Sequence, residues 1–272
     1  MTDAPRSPRR GRPPRKESPT AATGPVVVDR ALALLDLLAG EAGLTLSQLA
    51  RRQGLAASTT HRLLTALAAR RLAEIDPATQ GWSVGPGAFR LGAAFLARGG
   101  LAERARPILA DLSRRSGETA LLAVTDGDAA LVVAEAPGGA SLRVALPPGA
   151  RLPYHASAAG KALIAHLPLA QVRGLLGRGR LPALTPRTLT DQGELTADLA
   201  TLRHGGFLTE RAEAALGQNA VAAPVFGGAG DPVAALALAG PAARMDDAAM
   251  ASFGAEVAKA AHDLGAALGR AG

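Results

Sequence analysis

The feature that most constrains this chain is one pair of adjacent segments. Leu44-Thr45-Leu46-Ser47-Gln48-Leu49-Ala50-Arg51-Arg52-Gln53-Gly54 is followed closely by Ala57-Ser58-Thr59-Thr60-His61-Arg62-Leu63-Leu64-Thr65-Ala66-Leu67. Leu46, Leu49 and Ala50 fall on one face of a short helix that opens at Thr45 or Leu46. Gly54 supplies a tight turn, since glycine enters left-handed backbone without a Cβ penalty. The second segment reads as a helix with Thr60, Leu63, Leu64 and Leu67 inward and Ser58 as N-cap. Helix, glycine turn, then a helix starting with short polar side chains is the helix-turn-helix pattern. Short side chains let that second helix enter the major groove. Ser58, Thr59 and Arg62 point outward, and Arg62 is long enough to reach a guanine edge or a phosphate. Ser58, Thr59, Thr60 and Arg62 are therefore the candidate DNA contacts of this helix.

The flanks fit the same unit. Val28, Ala31, Leu32, Leu34, Leu35 and Leu38 recur at helical spacing, with Gly40 as the expected C-cap. Leu72–Asp76 and Gly81–Val84 bracket a turn and read as a hairpin, the wing. The competing reading is a three-helix core with a hairpin that touches no DNA. Residues 86–98 form a helix that is apolar on much of its circumference through Phe89, Leu91, Ala93, Phe95 and Leu96. Such a helix requires a partner: a second copy of the chain, or the chain's own second domain.

Charge supports a nucleic-acid partner where it is concentrated. The formal net charge is +7, and Arg6, Arg9, Arg10, Arg12, Arg15 and Lys16 crowd the N-terminus against Asp3. Residues 1–24, rich in Pro, Arg, Ser and Thr, are expected to be a disordered basic arm. Its Arg10-Gly11-Arg12-Pro13 core is similar to an AT-hook, in which glycine admits the backbone to the minor groove and the arginines follow its negative potential. A phosphate-binding arm and a solubilising tail are the alternatives.

Composition removes other classes. The absence of cysteine excludes disulfides and thiolate metal sites, and the five histidines never fall at ligand spacing. No apolar run is long enough to span a bilayer, and the N-terminus lacks a signal-peptide core, so the cytoplasm is the expected location and no membrane partner is expected. No cofactor is expected. With 272 residues, the chain suits a small domain followed by a larger one. The expected layout is the arm at 1–24, a winged helix-turn-helix at 25–85, a linker helix at 86–100 and a second domain at 101–272. That second domain reads as α+β with an antiparallel sheet. Strands are expected near 119–125, 130–136, 141–146, 219–226 and 232–239. Helices are expected near 101–115, 158–166, 168–176, 191–204 and 246–268.

Taken in order, these segments resemble a known family. Gly54-Leu55-Ala56-Ala57-Ser58-Thr59-Thr60-His61-Arg62-Leu63-Leu64 is similar to the DNA-binding domain of IclR-type bacterial transcription regulators. Leu152-Pro153-Tyr154-His155-Ala156-Ser157-Ala158-Ala159-Gly160-Lys161-Ala162-Leu163, Val221–Phe226 and Val233–Pro241 resemble that family's GAF-like effector domain. The resemblance covers about residues 26–268. It implies a dimeric or tetrameric regulator that binds a double-stranded DNA operator and answers to a small metabolite, often an organic or aromatic acid. It places Ser157, Ala158, Ala159, Gly160, Glu210, Ala220, Ala237 and Ala239 around the effector. Relatives often carry Cys at the first of those last three alanines and Ser at the other two, so three polar groups are absent here. An anionic effector with a larger apolar body is the resulting expectation, with Lys161 and Ser157 adding a charge and a hydroxyl.

Enzyme readings are weaker. The segment 155–162 lacks the first glycine and the metal-binding hydroxyl of a phosphate-binding loop. Ser157 and Lys161, four apart, could face each other as a nucleophile pair, but a pocket-lining serine and a helical lysine that binds a carboxylate is the preferred reading. The chain is read as a non-enzyme. The alternative is a GAF-like metabolite-binding protein or hydrolase whose helix-turn-helix serves protein contacts.

Overall fold

A computed structural model describes residues 23–97, 100–177, 179–201 and 205–269. The basic arm, with Arg10 and Arg12, lies outside the described residues. The chain divides into two compact units at Ala93/Ala94, inside a helix.

The first unit runs α1 (Thr23–Gly40), β1 (Leu44–Thr45), α2 (Leu46–Gln53), α3 (Ala57–Ala69), β2 (Ala73–Ile75), β3 (Gly81–Val84) and the start of α4 (Pro86–Leu96). Thr45 caps α2 in a reciprocal box: its hydroxyl accepts from the Gln48 N–H, and the Gln48 side chain accepts from the Thr45 N–H. Gly54, at φ 62°, ends α2. Leu34, Leu38, Leu49, Leu63, Leu64, Leu67 and Trp82 fill the core between the helices and the hairpin.

Two cap expectations are corrected. Gly40 lies within α1, and the left-handed glycine is Gly43 at φ 79°, whose N–H meets the Trp82 carbonyl on β3 at 2.9 Å. The N-cap of α3 is Ala56, with no side-chain cap, so Ser58 is free to face outward.

The second unit continues with α5 (Leu101–Ser116), β4 (Thr119–Asp126), β5 (Ala129–Ala136), β6 (Arg151–Pro153), α6 (Ala158–Ile164), α7 (Leu169–Leu176), α8 (Gln192–Ala200), β7 (Leu208–Arg211), β8 (Gln218–Phe226), β9 (Pro232–Pro241) and α9 (Asp247–Gly269). One antiparallel sheet runs β6-β5-β4-β9-β8-β7. On one face, α5 and α9 cover it through Leu109, Leu112, Leu236, Leu238, Val257 and Leu264. The other face meets α6, α7 and α8 through Leu121, Ala162, Leu163, Val172 and Leu195. Burial on both faces explains why β8 and β9 read as nearly unbroken apolar runs and not as an alternation.

The strand expected at 141–146 is absent. Leu142, Val144 and Leu146 alternate as a strand would, but their backbone bonds go to side chains. Thr119 Oγ1 donates to the Val144 carbonyl at 2.7 Å, and the Leu146 N–H donates to Glu135 Oε1 at 3.2 Å. The segment is a strap laid over the sheet edge, with Val144 and Leu146 packed on the core. Two short strands, β6 and β7, were not anticipated.

Candidate functional site

On α3, Ser58 and Arg62 are exposed and Thr59 is half-buried. Thr60 is different: it is fully buried, with its hydroxyl donating to the Ala56 carbonyl at 3.2 Å. As the first residue of the buried stripe it reads no base, and it is withdrawn from the DNA-contact set. The next turn of the same face adds His61 and Thr65, both exposed. At the wing tip, Asp76 is tied up locally: its carboxylate accepts from the Ala78 N–H at 2.8 Å and from the Thr79 hydroxyl at 2.9 Å, which hold it below the usual carboxylate range. The turn 76–80 carries no cation, so positive charge on this unit comes from its helices and their ends.

In the second unit, register builds a cavity wall. Glu210 on β7 pairs with Ala220 on β8, Ala220 with Ala239 on β9, and Ala239 with Thr119 on β4. Cross-strand partners share a face. Leu121 and Ala237 form the adjacent row. Above them sit Ser157, Ala158 and Ala159 at the start of α6. Leu146 of the strap, Leu152, Ala214 and Gln218 close the remainder. The cavity is about 20 Å³, room for about one water. The sequence reading had not named Gln218, although period-two alternation from Ala220 points to it.

Polarity in this cavity is concentrated in Glu210. Its side chain is almost wholly buried, and burial pushes its carboxyl up to about 7. Three donors partly offset that cost, the N–H groups of Ala158 and Ala214 and the Gln218 amide, each at 3.3 Å. Among the described residues it forms no ion pair.

The remaining expected groups are otherwise engaged. Ser157 caps α6: its hydroxyl donates to the Pro153 carbonyl at 2.7 Å and accepts the Gly160 N–H at 3.0 Å. Gly160 is not a cavity residue. A Cβ there would lie 2.6 Å from the Pro153 carbonyl oxygen, so glycine is required by close packing. Lys161 is fully buried, and its ammonium is held by Glu213 at 3.0 Å and Asp198 at 2.8 Å. Its ammonium is therefore taken up by protein carboxylates and is not free to pair with a ligand, although its charge pulls the Glu210 carboxyl down. Burial raises the Glu213 carboxyl, against the pull of Lys161. With Ser157 and Lys161 each bonded elsewhere, the nucleophile-pair reading loses its geometry. Among the described residues no cluster of His, Asp and Glu is arranged to hold a metal. No helix among them is long and apolar enough to cross a membrane.

A winged helix-turn-helix joined to a three-layer α+β unit with a small inner cavity defines a class, that of two-domain DNA-binding regulators. Two family models match: "IclR helix-turn-helix domain" over residues 27–77, and "Bacterial transcriptional regulator IclR C-terminal" over residues 93–266. The chain belongs to the IclR family of bacterial transcriptional regulators. It is 44% identical over 237 residues to the HTH-type transcriptional regulator BhcR of Paracoccus denitrificans, covering 87% of this chain and 85% of that protein. To the transcriptional repressor IclR of Escherichia coli it is 37% identical, covering 94% and 96%. Among solved structures, an IclR homolog from Microbacterium hydrocarbonoxydans, complexed with 4-hydroxybenzoate, superposes with a TM-score of 0.79 at 22% identity, covering 90% of this chain and all (100%) of that one.

Proposed function

We propose that this regulator binds its operator as a dimer or tetramer through α3, and that an organic acid in the cavity beside Glu210 alters that binding. The observation carrying the ligand half is the wall itself. A row of strand residues from Glu210 through Ala220 and Ala239 faces the start of α6, with one polar end and an alanine floor. Such a wall suits a molecule with an acid or hydroxyl group toward Glu210 and apolar surface toward Ala220, Ala237 and Ala239. The Microbacterium homolog, whose 4-hydroxybenzoate joins a carboxylate to an apolar ring, supports an aromatic acid.

Volume favours a second reading. Ligand pockets usually hold about 300–1,000 Å³, and this cavity holds about 20 Å³. A short aliphatic acid needs less displacement of the walls than an aromatic one. The strap carrying Leu146 is the wall that yields most readily, since it has side-chain tethers in place of ladder bonds.

Arg62 and Ser58 read the major groove, and the arm with Arg10 and Arg12 adds phosphate or minor-groove contacts. The exposed apolar face of α4, with Phe89, Leu91 and Phe95, meets a second copy. The protein works in the cytoplasm and is not an enzyme. Gel retardation of DNA from beside its own gene tests the reading. A specific complex that Arg62→Ala abolishes supports it. Absence of any specific complex favours a metabolite-binding protein whose helix-turn-helix contacts protein.

A further inference from the structure

Any acid that enters the cavity meets a carboxyl group already there. Glu210 lines the cavity and is held only by neutral donors: the Ala158 and Ala214 N–H groups and the Gln218 amide. The charged groups packed around it offer no free cation. Lys161, on α6, gives its ammonium to Glu213 and to Asp198 of α8. Glu213, on the turn after β7, raises the Glu210 carboxyl by its negative charge, and this outweighs the opposing pull of the paired Lys161 ammonium. The residues facing it from β4, β8 and β9 are Leu121, Ala220, Ala237 and Ala239, and from the strap Leu146; none of these is titratable. Two carboxylates at hydrogen-bond distance in such a site repel strongly unless one is protonated.

We propose that ligand binding in this family member is proton-linked: an anionic acid enters together with one proton, which rests on Glu210 and bridges the two carboxyl groups. The inference depends on the organic-acid reading above. The proton comes from solvent and no covalent bond changes. Glu210 Oε1 keeps accepting the Ala214 N–H and the Gln218 amide, while Oε2, which accepts only the Ala158 N–H, carries the proton and donates to the ligand carboxylate. Burial already places the Glu210 carboxyl near pH 7, and an anion beside it raises that value further. Above pH 7 the protonated fraction falls about tenfold per unit, and affinity falls with it. Gln218 and the two N–H donors are silent in this exchange, because none titrates.

The test is calorimetry of the full chain with two simple monocarboxylates, benzoate and propionate, which span the two size classes. Each is titrated at pH 6 and pH 8, in buffers of different ionisation heat. The expected result is about tenfold weaker binding at pH 8 than at pH 6, with uptake of roughly one proton per ligand at pH 8 and nearly none at pH 6. Glu210→Gln keeps the shape and carries no ionisable proton, so it is expected to bind with no proton uptake and no pH dependence. Wild-type binding at both pH values without proton uptake overturns the proposal and leaves the organic-acid reading intact. Uptake that persists in Glu210→Gln also overturns it, since the proton then rests elsewhere. No binding of either acid at either pH overturns both readings together.

Discussion

Arg244 and Glu118 form a two-pronged ion pair, with Nε and Nη2 of the arginine at 2.5 and 2.8 Å from the two carboxylate oxygens. The same Nη2 donates to the Leu142 carbonyl at 3.0 Å. Glu118 is buried at the start of β4, so the pair anchors the strap to the sheet. The strap carries Leu146 into the cavity roof. Arg244→Ala is expected to speed amide exchange across 140–146 by roughly tenfold or more, the loss of a charge-assisted bond. It is also expected to quicken ligand association. Hydrogen exchange read by mass spectrometry decides; unchanged protection in 140–146 would mean that Thr119 and Glu135 hold the strap without help.

Glu210 gives a pH signature in the absence of any ligand. Its folded value is about 7, above the roughly 4.3 of an unperturbed glutamate. Between those values the folded chain holds more protons than the unfolded chain, so this group's contribution to stability is full below about pH 4.3 and declines as pH rises to about 7. Beyond that it is flat. The decline amounts to about 4 kcal/mol over the whole window, of which about 3 kcal/mol falls above pH 5. Urea unfolding from pH 5 to 8 is expected to show wild type losing stability relative to Glu210→Gln across this window. Parallel curves for the two proteins would contradict the assignment.

Arg62 and Thr60, two residues apart on α3, are expected to behave oppositely. Arg62→Ala is expected to cost about 1–3 kcal/mol of specific operator binding if the guanidinium reads a base. Thr60→Val, at a buried position bonded within its own helix, is expected to leave operator affinity within about twofold and to alter stability by about 1 kcal/mol. Fluorescence anisotropy on an operator duplex separates them. Equal losses for both variants would show that the helix is oriented differently.

Phe89 is the most exposed large apolar side chain on α4, at 78%. Phe89→Glu is expected to shift the protein toward monomer and weaken operator binding by about tenfold or more, because a single winged helix reads half of a two-fold site. Sedimentation at micromolar concentration reads the result. A wild-type protein that is already monomeric, with and without DNA, would remove the case for a second copy on α4.

The helix-turn-helix was legible because a 3.6-residue apolar repeat and Gly54 fix it locally. Leu49, Leu63, Leu64 and Leu67 are buried as the periodicity requires. The cavity wall was found by family resemblance, since three alanines carry no chemistry that sequence alone can single out. The fate of Lys161 was not legible. Its partners Asp198 and Glu213 lie 37 and 52 residues away, so only the fold shows that the ammonium is spent. The strap was misread because Leu142, Val144 and Leu146 alternate as in a strand, whereas the bonds that hold it come from Thr119, Glu135 and Arg244. Gly160, which the resemblance places around the effector, is instead a packing glycine.

The most direct test of the account is anisotropy of a labelled duplex, taken from beside the gene, titrated with the full chain in the presence of benzoate, 4-hydroxybenzoate or glyoxylate. The account predicts that an acid with an apolar body changes the operator dissociation constant by about tenfold, a typical coupling between two sites, and that Glu210→Gln alters the pH dependence of that change. A response to glyoxylate with none to the aromatic acids would contradict the role given to Ala220, Ala237 and Ala239.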